Sequence, residues 1–226
     1  MPAQSPDRKP LSAEAIVASA VELADEGGIG SVSMRRIAGR LGCNPMSLYY
    51  HVPDKQVLLS LMVDAVMRLH HYPDPGSRSW RERLHTAARL DWDMYMAHPW
   101  LLDTVATTRP PFGPETLAAA EWFLDALALI ELPLSACGLA ISTINHYVQG
   151  SARVALSGSE RAEGGSEDVG RVWQSRLADA DLAAFPRLQA LVATESVSQE
   201  QSRFTDGLDL ILDGIALHSP SETRSN

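Results

Sequence analysis

Apolar residues recur at three- and four-residue spacings along most of this chain, and short clusters of Gly, Pro, Ser and Asn interrupt them. That period is helical, and no run alternates apolar and polar residues as a half-buried strand would. Ile16, Ala20, Leu23 and Ala24 share one helix face; Ser12 stands at the N-cap position and Gly27-Gly28 at the stop. The spacing then predicts a short helix over 33–41 closed by Gly42. Asn44-Pro45 opens another that ends near Tyr50, and Asp54 caps a long helix with Leu58, Leu61, Met62, Ala65 and Leu69 as its apolar face.

Tyr72–Ser79, with two prolines and a glycine, reads as a connecting loop. Beyond it, helices are predicted over 80–97, after Pro99 to 105, from Gly113-Pro114 to about 130, and over 134–157. Ser157–Gly170, rich in Gly, Ser and Glu, reads as a mobile loop; two shorter helices and a closing one over 204–218 follow. The expected fold is all-α: a three-helix head over 1–55, a connecting helix and loop over 56–79, and a larger helical domain over 80–226.

Composition narrows the class. The 226 residues are 45% hydrophobic, enough for a buried core, and charges break every apolar run before the ~18 residues a membrane span needs. Met1–Lys9 is polar and lacks the apolar stretch of a secretory signal. Cys43 and Cys137 are far apart, without metal-ligand spacing, and suit a reducing, cytoplasmic setting. The net charge is −9, yet residues 1–55 hold six Lys+Arg against six Asp+Glu, so all of the excess acid lies beyond them. An acidic body behind a neutral head would be repelled by a polyanion everywhere except at that head.

The head carries the informative chemistry. Ala38 is small where two helices would cross closely, Gly42 allows a tight turn, and Ile37, Leu41 and Leu48 fill the space between the helices. Arg35 and Arg36 open the helix before the turn. The helix after it bears Asn44, Pro45, Met46, Ser47, Tyr49, Tyr50 and His51, and Lys55 begins the next one. Solvent-facing aromatics among hydroxyl and amide groups suit a DNA major groove, where they meet base edges, thymine methyls and phosphates. Tyr49 is the ambiguous member, either partly core or a DNA contact.

The stretch LGCNPMSLYYHVPDKQVLL, within a match from about Leu11 to Leu69, closely resembles the DNA-binding head of the tetracycline-repressor (TetR) family. The resemblance implies phosphate or base contacts from Arg35, Asn44, Pro45, Met46, Ser47, Tyr49, Tyr50, His51 and Lys55. It continues more weakly through Trp80, Thr108-Arg109-Pro110, Ile144-Asn145-His146-Tyr147 and Phe204-Thr205-Asp206-Gly207-Leu208. These landmarks resemble the C-terminal core of the tetracycline-binding members, which hold a magnesium–drug chelate. Where those members place a metal-binding histidine, this chain has Val105; Ala87 and Asp91 replace drug-contacting Asn and Phe, while His71 matches a drug-contacting histidine. The resemblance therefore implies a different, metal-independent ligand.

His71, Asp91, Trp92, Tyr95, Phe123, His146 and Tyr147 are the candidate ligand-binding residues, with His71 and His146 as polar anchors. Each aromatic could equally be plain core. Asp91 is expected to be exposed or paired with arginine; buried without a protein partner it would favour a cationic ligand. His70, His71 and His98 have no metal-site spacing, and no metal or cofactor is expected. Catalytic signatures are missing: there is no nucleophile elbow or phosphate loop, and Asp91 and Asp93 point to different helix faces. Glu160–Asp168 reads as a solvated acidic loop.

The expected function is a sequence-specific DNA-binding transcriptional regulator. It would be a homodimeric repressor on a palindromic double-stranded operator, released by a small-molecule effector, without membrane association. The helices over 134–157 and 204–218 resemble the family's dimer-forming bundle, and Ala136, Gly138, Ala140 and Ser142 would permit close packing there or in an internal core. An activator, or an all-α enzyme or interaction module with a vestigial head, are the alternatives.

Overall fold

The computed structural model describes residues 11–105, 113–161, 176–177, 180–194 and 200–220. Its elements are helices and one 3-10 turn, with no strand among the described residues. They form two compact units, one from Met1–His71 with Ala97–Ala119, the other from Tyr72–Met96 with Ala120–Asn226.

The first unit begins with α1 (Ala13–Gly27), where the Ser12 hydroxyl accepts the Ala15 N–H at 3.2 Å. A 3-10 turn (Ile29–Ser31) leads to α2 (Met34–Leu41), whose Arg36 N–H donates to the Ser33 hydroxyl at 3.3 Å. α3 (Pro45–Tyr49) has Asn44 as its cap, with Oδ1 accepting the Met46 N–H at 2.9 Å, and Pro45 in the first turn. α4 (Lys55–Leu69) is capped by Asp54, whose Oδ1 accepts the Val57 N–H at 2.8 Å. Each such cap contributes about 0.5–2 kcal/mol, so four side chains fix where this head's helices begin.

α4 packs against α1, and its buried face is Leu58, Met62, Val63, Asp64 and Val66. The expected face differs: Leu61 and Ala65 are half-buried, and Leu69 is 76% exposed. The helix is apolar nearly all round between Val57 and Val66, so periodicity alone leaves its orientation free and packing chooses the face. Asp64 lies at the start of α7 (Pro114–Ala128), hydrogen-bonded to the Glu115 and Thr116 amides. Burial raises its carboxyl above the usual range and outweighs those two bonds. At the other end of the unit, Asp25 of α1 accepts the Trp100 indole N–H at 2.7 Å and bonds His98 Nδ1 at 2.8 Å. Asp25 thereby ties α1 to α6 (Trp100–Val105).

The second unit contains α5 (Trp80–Ala97) up to Met96, the rest of α7, α8 (Leu134–Arg161), α9 (Pro186–Thr194) and α10 (Glu200–Ala216). Leu84, Ala87, Phe123, Leu127, Ile144, Val148, Leu208 and Leu212 are its buried centre. The Arg81–Asp213 ion pair at 2.7 Å and the His85 Nε2–Asp209 hydrogen bond at 2.8 Å join α5 to α10. The Tyr147 hydroxyl donates to the Phe204 carbonyl at 3.0 Å, and a β-carbon at Gly207 would fall on that hydroxyl. The glycine therefore sets how closely α8 and α10 approach.

Several element ends differ from the sequence reading. α8 continues to Arg161 because an isolated glycine such as Gly158 costs a helix only about 1 kcal/mol. α10 begins at Glu200, one turn early, and α7 ends at Ala128. The remainder of the predicted 157–170 loop lies outside the described residues, as does the Thr108-Arg109-Pro110 turn.

Candidate functional site

Two places gather the chemistry. In the head, Gly42 turns the chain in the left-handed conformation, φ 64°, and its N–H bonds back to the end of α2. A β-carbon would be strained there. Ile37, Ala38 and Leu48 are buried to within 1% of complete, so apolar contact locks α2 and α3 together. Leu41 is half-buried at the edge of that contact.

The opposite side of α3 is open. Tyr50 is 90% exposed, Met46 66% and Tyr49 44%. Asn44, Pro45, His51 and Lys55 are exposed as well, and Ser47 is half-buried. With Asn44 Oδ1 held in the cap, its amide group remains a donor. Arg35 is exposed in the first turn of α2. Arg36 instead donates to the Ser31 carbonyl at 3.0 Å, and Arg40 forks onto Glu26 at 2.6 and 2.7 Å. Among the described residues nothing covers the two tyrosines and the methionine of this five-residue helix and its cap, and side chains of this kind suit a groove lined with base edges and methyls.

In the second unit, Asp91 is only 9% exposed, and its Oδ1 accepts the Tyr72 hydroxyl at 2.8 Å. This corrects the expectation of an exposed or arginine-paired Asp91. Leu84, Ala88, Asp91 and Tyr95 follow one another at helical spacing on the buried face of α5, so the acid is carried inward with them. Burial pushes its carboxyl up to about 7, against the smaller lowering effect of the Tyr72 bond. The Tyr72 ring lies 4.9 Å from Trp122 and 5.7 Å from Phe123, centre to centre. Tyr95 is buried beside them and hydrogen-bonds to Gln149.

A second aromatic group joins α5, α8 and α10. Trp92 packs on Phe204 at 4.8 Å, and Tyr147 stacks on the same ring at 5.6 Å. Of the seven predicted ligand residues, Asp91, Tyr95 and Phe123 meet around Tyr72, while Trp92 and Tyr147 meet around Phe204. His146 is exposed on α8, and His71, also exposed, belongs to the first unit. Burial therefore draws neither histidine into these groups. Tyr72 and Trp122 were missed by sequence reasoning because Tyr72 opens a proline-bearing loop; its ring is placed by tertiary packing. Val105 is half-buried at the end of α6. Among the described residues, no cluster of His, Cys, Asp or Glu is arranged to hold a metal ion, and no helix is long and apolar enough to cross a membrane.

A tightly turned helix pair with an open, donor-rich second helix defines a helix-turn-helix DNA-binding protein. Comparisons with known proteins identify the family. Residues 16–62 match "Bacterial regulatory proteins, tetR family", and residues 72–218 match "Tetracyclin repressor-like, C-terminal domain". The chain is 34% identical over 218 residues to the HTH-type transcriptional repressor DrrR1 of Streptomyces coeruleorubidus, covering 93% of this chain and 80% of that protein. It is 26% identical to the class A tetracycline repressor of transposon 1721 from Escherichia coli, over 91% of each chain. The crystal structure of apo ActR from Streptomyces coelicolor superposes with a TM-score of 0.78 at 26% identity, covering 97% of this chain and all of that one. ActR in complex with actinorhodin gives 0.77 at 27% identity, over 94% and 100%. The chain belongs to the tetracycline-repressor family of DNA-binding transcriptional regulators.

Proposed function

We propose that this regulator is a homodimeric repressor that acts in the cytoplasm on a palindromic operator and leaves it when a small organic effector occupies the second unit. The observation that carries the reading is the open face of α3, where Met46, Tyr49 and Tyr50 stand exposed over a fully buried Leu48. Arg35, Asn44, Pro45, Met46, Ser47, Tyr49, Tyr50, His51 and Lys55 are the assigned DNA contacts. Residues 1–55 read DNA, 56–79 connect, and 80–226 bind effector and dimerise. Dimerisation would place two recognition helices one DNA turn apart, roughly 34–36 Å. Leu139 on α8 and Leu210 on α10, 71% and 76% exposed, are the apolar surface available to a second copy.

The effector residues are Asp91, Tyr95 and Phe123 with Tyr72, and Trp92 and Tyr147 with Phe204; His71 and His146 complete the assigned set from exposed positions. That ActR was crystallised with actinorhodin supports an organic effector here as well. A magnesium–tetracycline chelate is a poor candidate, because Val105 has no lone pair for the metal. The test is a mobility shift on the DNA upstream of the chain's own gene, across salt concentrations, with tetracycline added with and without magnesium. Salt-sensitive, sequence-specific binding that tetracycline leaves intact is expected. Binding with no preference over random DNA would overturn the repressor reading, and release by tetracycline only with magnesium would overturn the ligand assignment.

A further inference from the structure

Asp91 gives the effector site a sign of charge. Its Oδ1 is held by a neutral hydroxyl, and among the described residues no Lys, Arg or His forms an ion pair with it. The basic side chains of α5 are directed elsewhere: Arg81 pairs with Asp213, the His85 imidazole hydrogen-bonds to Asp209, Arg83 donates to the Arg78 carbonyl, and Arg89 is exposed. An ionised carboxylate away from water costs several kcal/mol unless a counter-charge meets it. Among the described residues the fold supplies one hydrogen bond and an aromatic wall of Tyr72, Tyr95, Trp122 and Phe123, and no counter-charge. Aromatic faces attract cations, most strongly where water is excluded.

We infer that the effector is an organic cation, an apolar ring compound bearing one positive charge, which Asp91 receives beside the Tyr72 hydroxyl. The inference rests on the ligand-responsive reading above and specifies its chemistry. An anionic ligand would meet like charge in a low-dielectric setting, and a neutral one would draw nothing from the carboxylate's charge. The competing explanation is that Asp91 only anchors Tyr72, a task that an isosteric asparagine performs equally well.

The experiment measures fluorescence anisotropy of rhodamine 6G, a cation, and of rhodamine B, its near-isosteric carboxylate, at about pH 8. It uses the full-length protein, Asp91→Asn and Asp93→Asn. Wild type is expected to bind rhodamine 6G at least about tenfold more tightly than rhodamine B. Asp91→Asn should reduce that preference to about twofold or less, and Asp93→Asn, which removes an exposed acid of the same helix, should keep it. Equal binding of both dyes, a preference that survives in Asp91→Asn, or no binding of rhodamine 6G up to its solubility limit would each overturn the inference. A parallel operator-release assay separates the two readings. Charge-selective dye binding that leaves the operator occupied keeps the cation site and removes ligand-controlled release. Release by rhodamine B that is indifferent to Asp91 does the reverse.

Discussion

The head and the second unit use the same residue types in opposite ways. Tyr50 and Asp54 face solvent at the head, the first on an open surface and the second as a helix cap. Tyr72 and Asp91 face each other inside the second unit, where burial raises both above their ordinary titration ranges. The head needs no buried polar chemistry near the turn, since Ile37, Ala38 and Leu48 close it with apolar contact. A large polyanion can be met only at a surface, whereas a small apolar molecule has to be enclosed. The location of polar groups in each region thus fits the partner proposed for it, operator DNA at the head and a small organic effector in the second unit.

The largest expected effect tests whether an intact head suffices. Gly138 is exposed on α8, and a β-carbon there meets nothing within 4 Å in the same chain. Gly138→Trp should therefore leave each chain folded while obstructing a second copy. Light scattering should show the monomer mass, and operator affinity should fall by about a hundredfold or more as the second half-site is lost. An intact dimer with undiminished affinity would place the interface elsewhere.

A smaller effect distinguishes the buried acid from the exposed ones. Folding holds the Asp91 carboxyl at about 7, above the ordinary value of 3.8 for an aspartate, so the protonated form is favoured by the native state. Stability from this group is therefore complete below the unfolded value and is lost as pH rises through the folded one. Asp91→Asn does not titrate. Between about pH 5 and pH 8 the variant should gain about 2–3 kcal/mol relative to wild type in urea unfolding. Tyr72 and Tyr95, which face Asp91, are both held above their ordinary range and stay neutral throughout that window. A pH-independent difference between the two proteins would mean that Asp91 is solvated, and the contrast with the head would disappear.

The head was legible in the sequence and the second unit far less so, for a physical reason. Ser12, Gly42, Asn44-Pro45 and Asp54 act on their own backbone neighbours within a few residues, so each signal and its consequence share one short window. The Tyr72–Asp91 bond spans nineteen residues, and the Tyr147–Phe204 contact spans fifty-seven. Such pairs are set by how whole helices pack, and α4 shows the limit plainly: its near-continuous apolar run hid which face would turn inward. The periodicity of α5 did place Asp91 among Leu84, Ala88 and Tyr95, which was a readable sign of burial. Its tyrosine partner, at the start of a proline-bearing loop, was not readable.

The smallest predicted effect concerns Lys55, and it tests the head as a phosphate-facing surface in particular. Lys55 is exposed in the first turn of α4, beyond the Asp54 cap and next in chain to the recognition segment. There a helix N-terminus and an ammonium group can address one phosphate together. Each phosphate neutralised releases condensed counterion, so Lys55→Ala should lower the slope of log affinity against log salt by about 0.9. It should weaken operator and random DNA alike, because a phosphate contact carries no base information. Tyr49→Ala makes the informative control. Its ring is 44% exposed on α3, and its loss should weaken the operator more than random DNA while leaving the salt slope unchanged. Both variants should keep the thermal midpoint of wild type within a few degrees, since neither side chain belongs to the Ile37–Leu48 contact. Isotherms at several salt concentrations that overlay wild type for Lys55→Ala would remove Lys55 from the DNA surface, and a slope change from Tyr49→Ala would exchange the two roles.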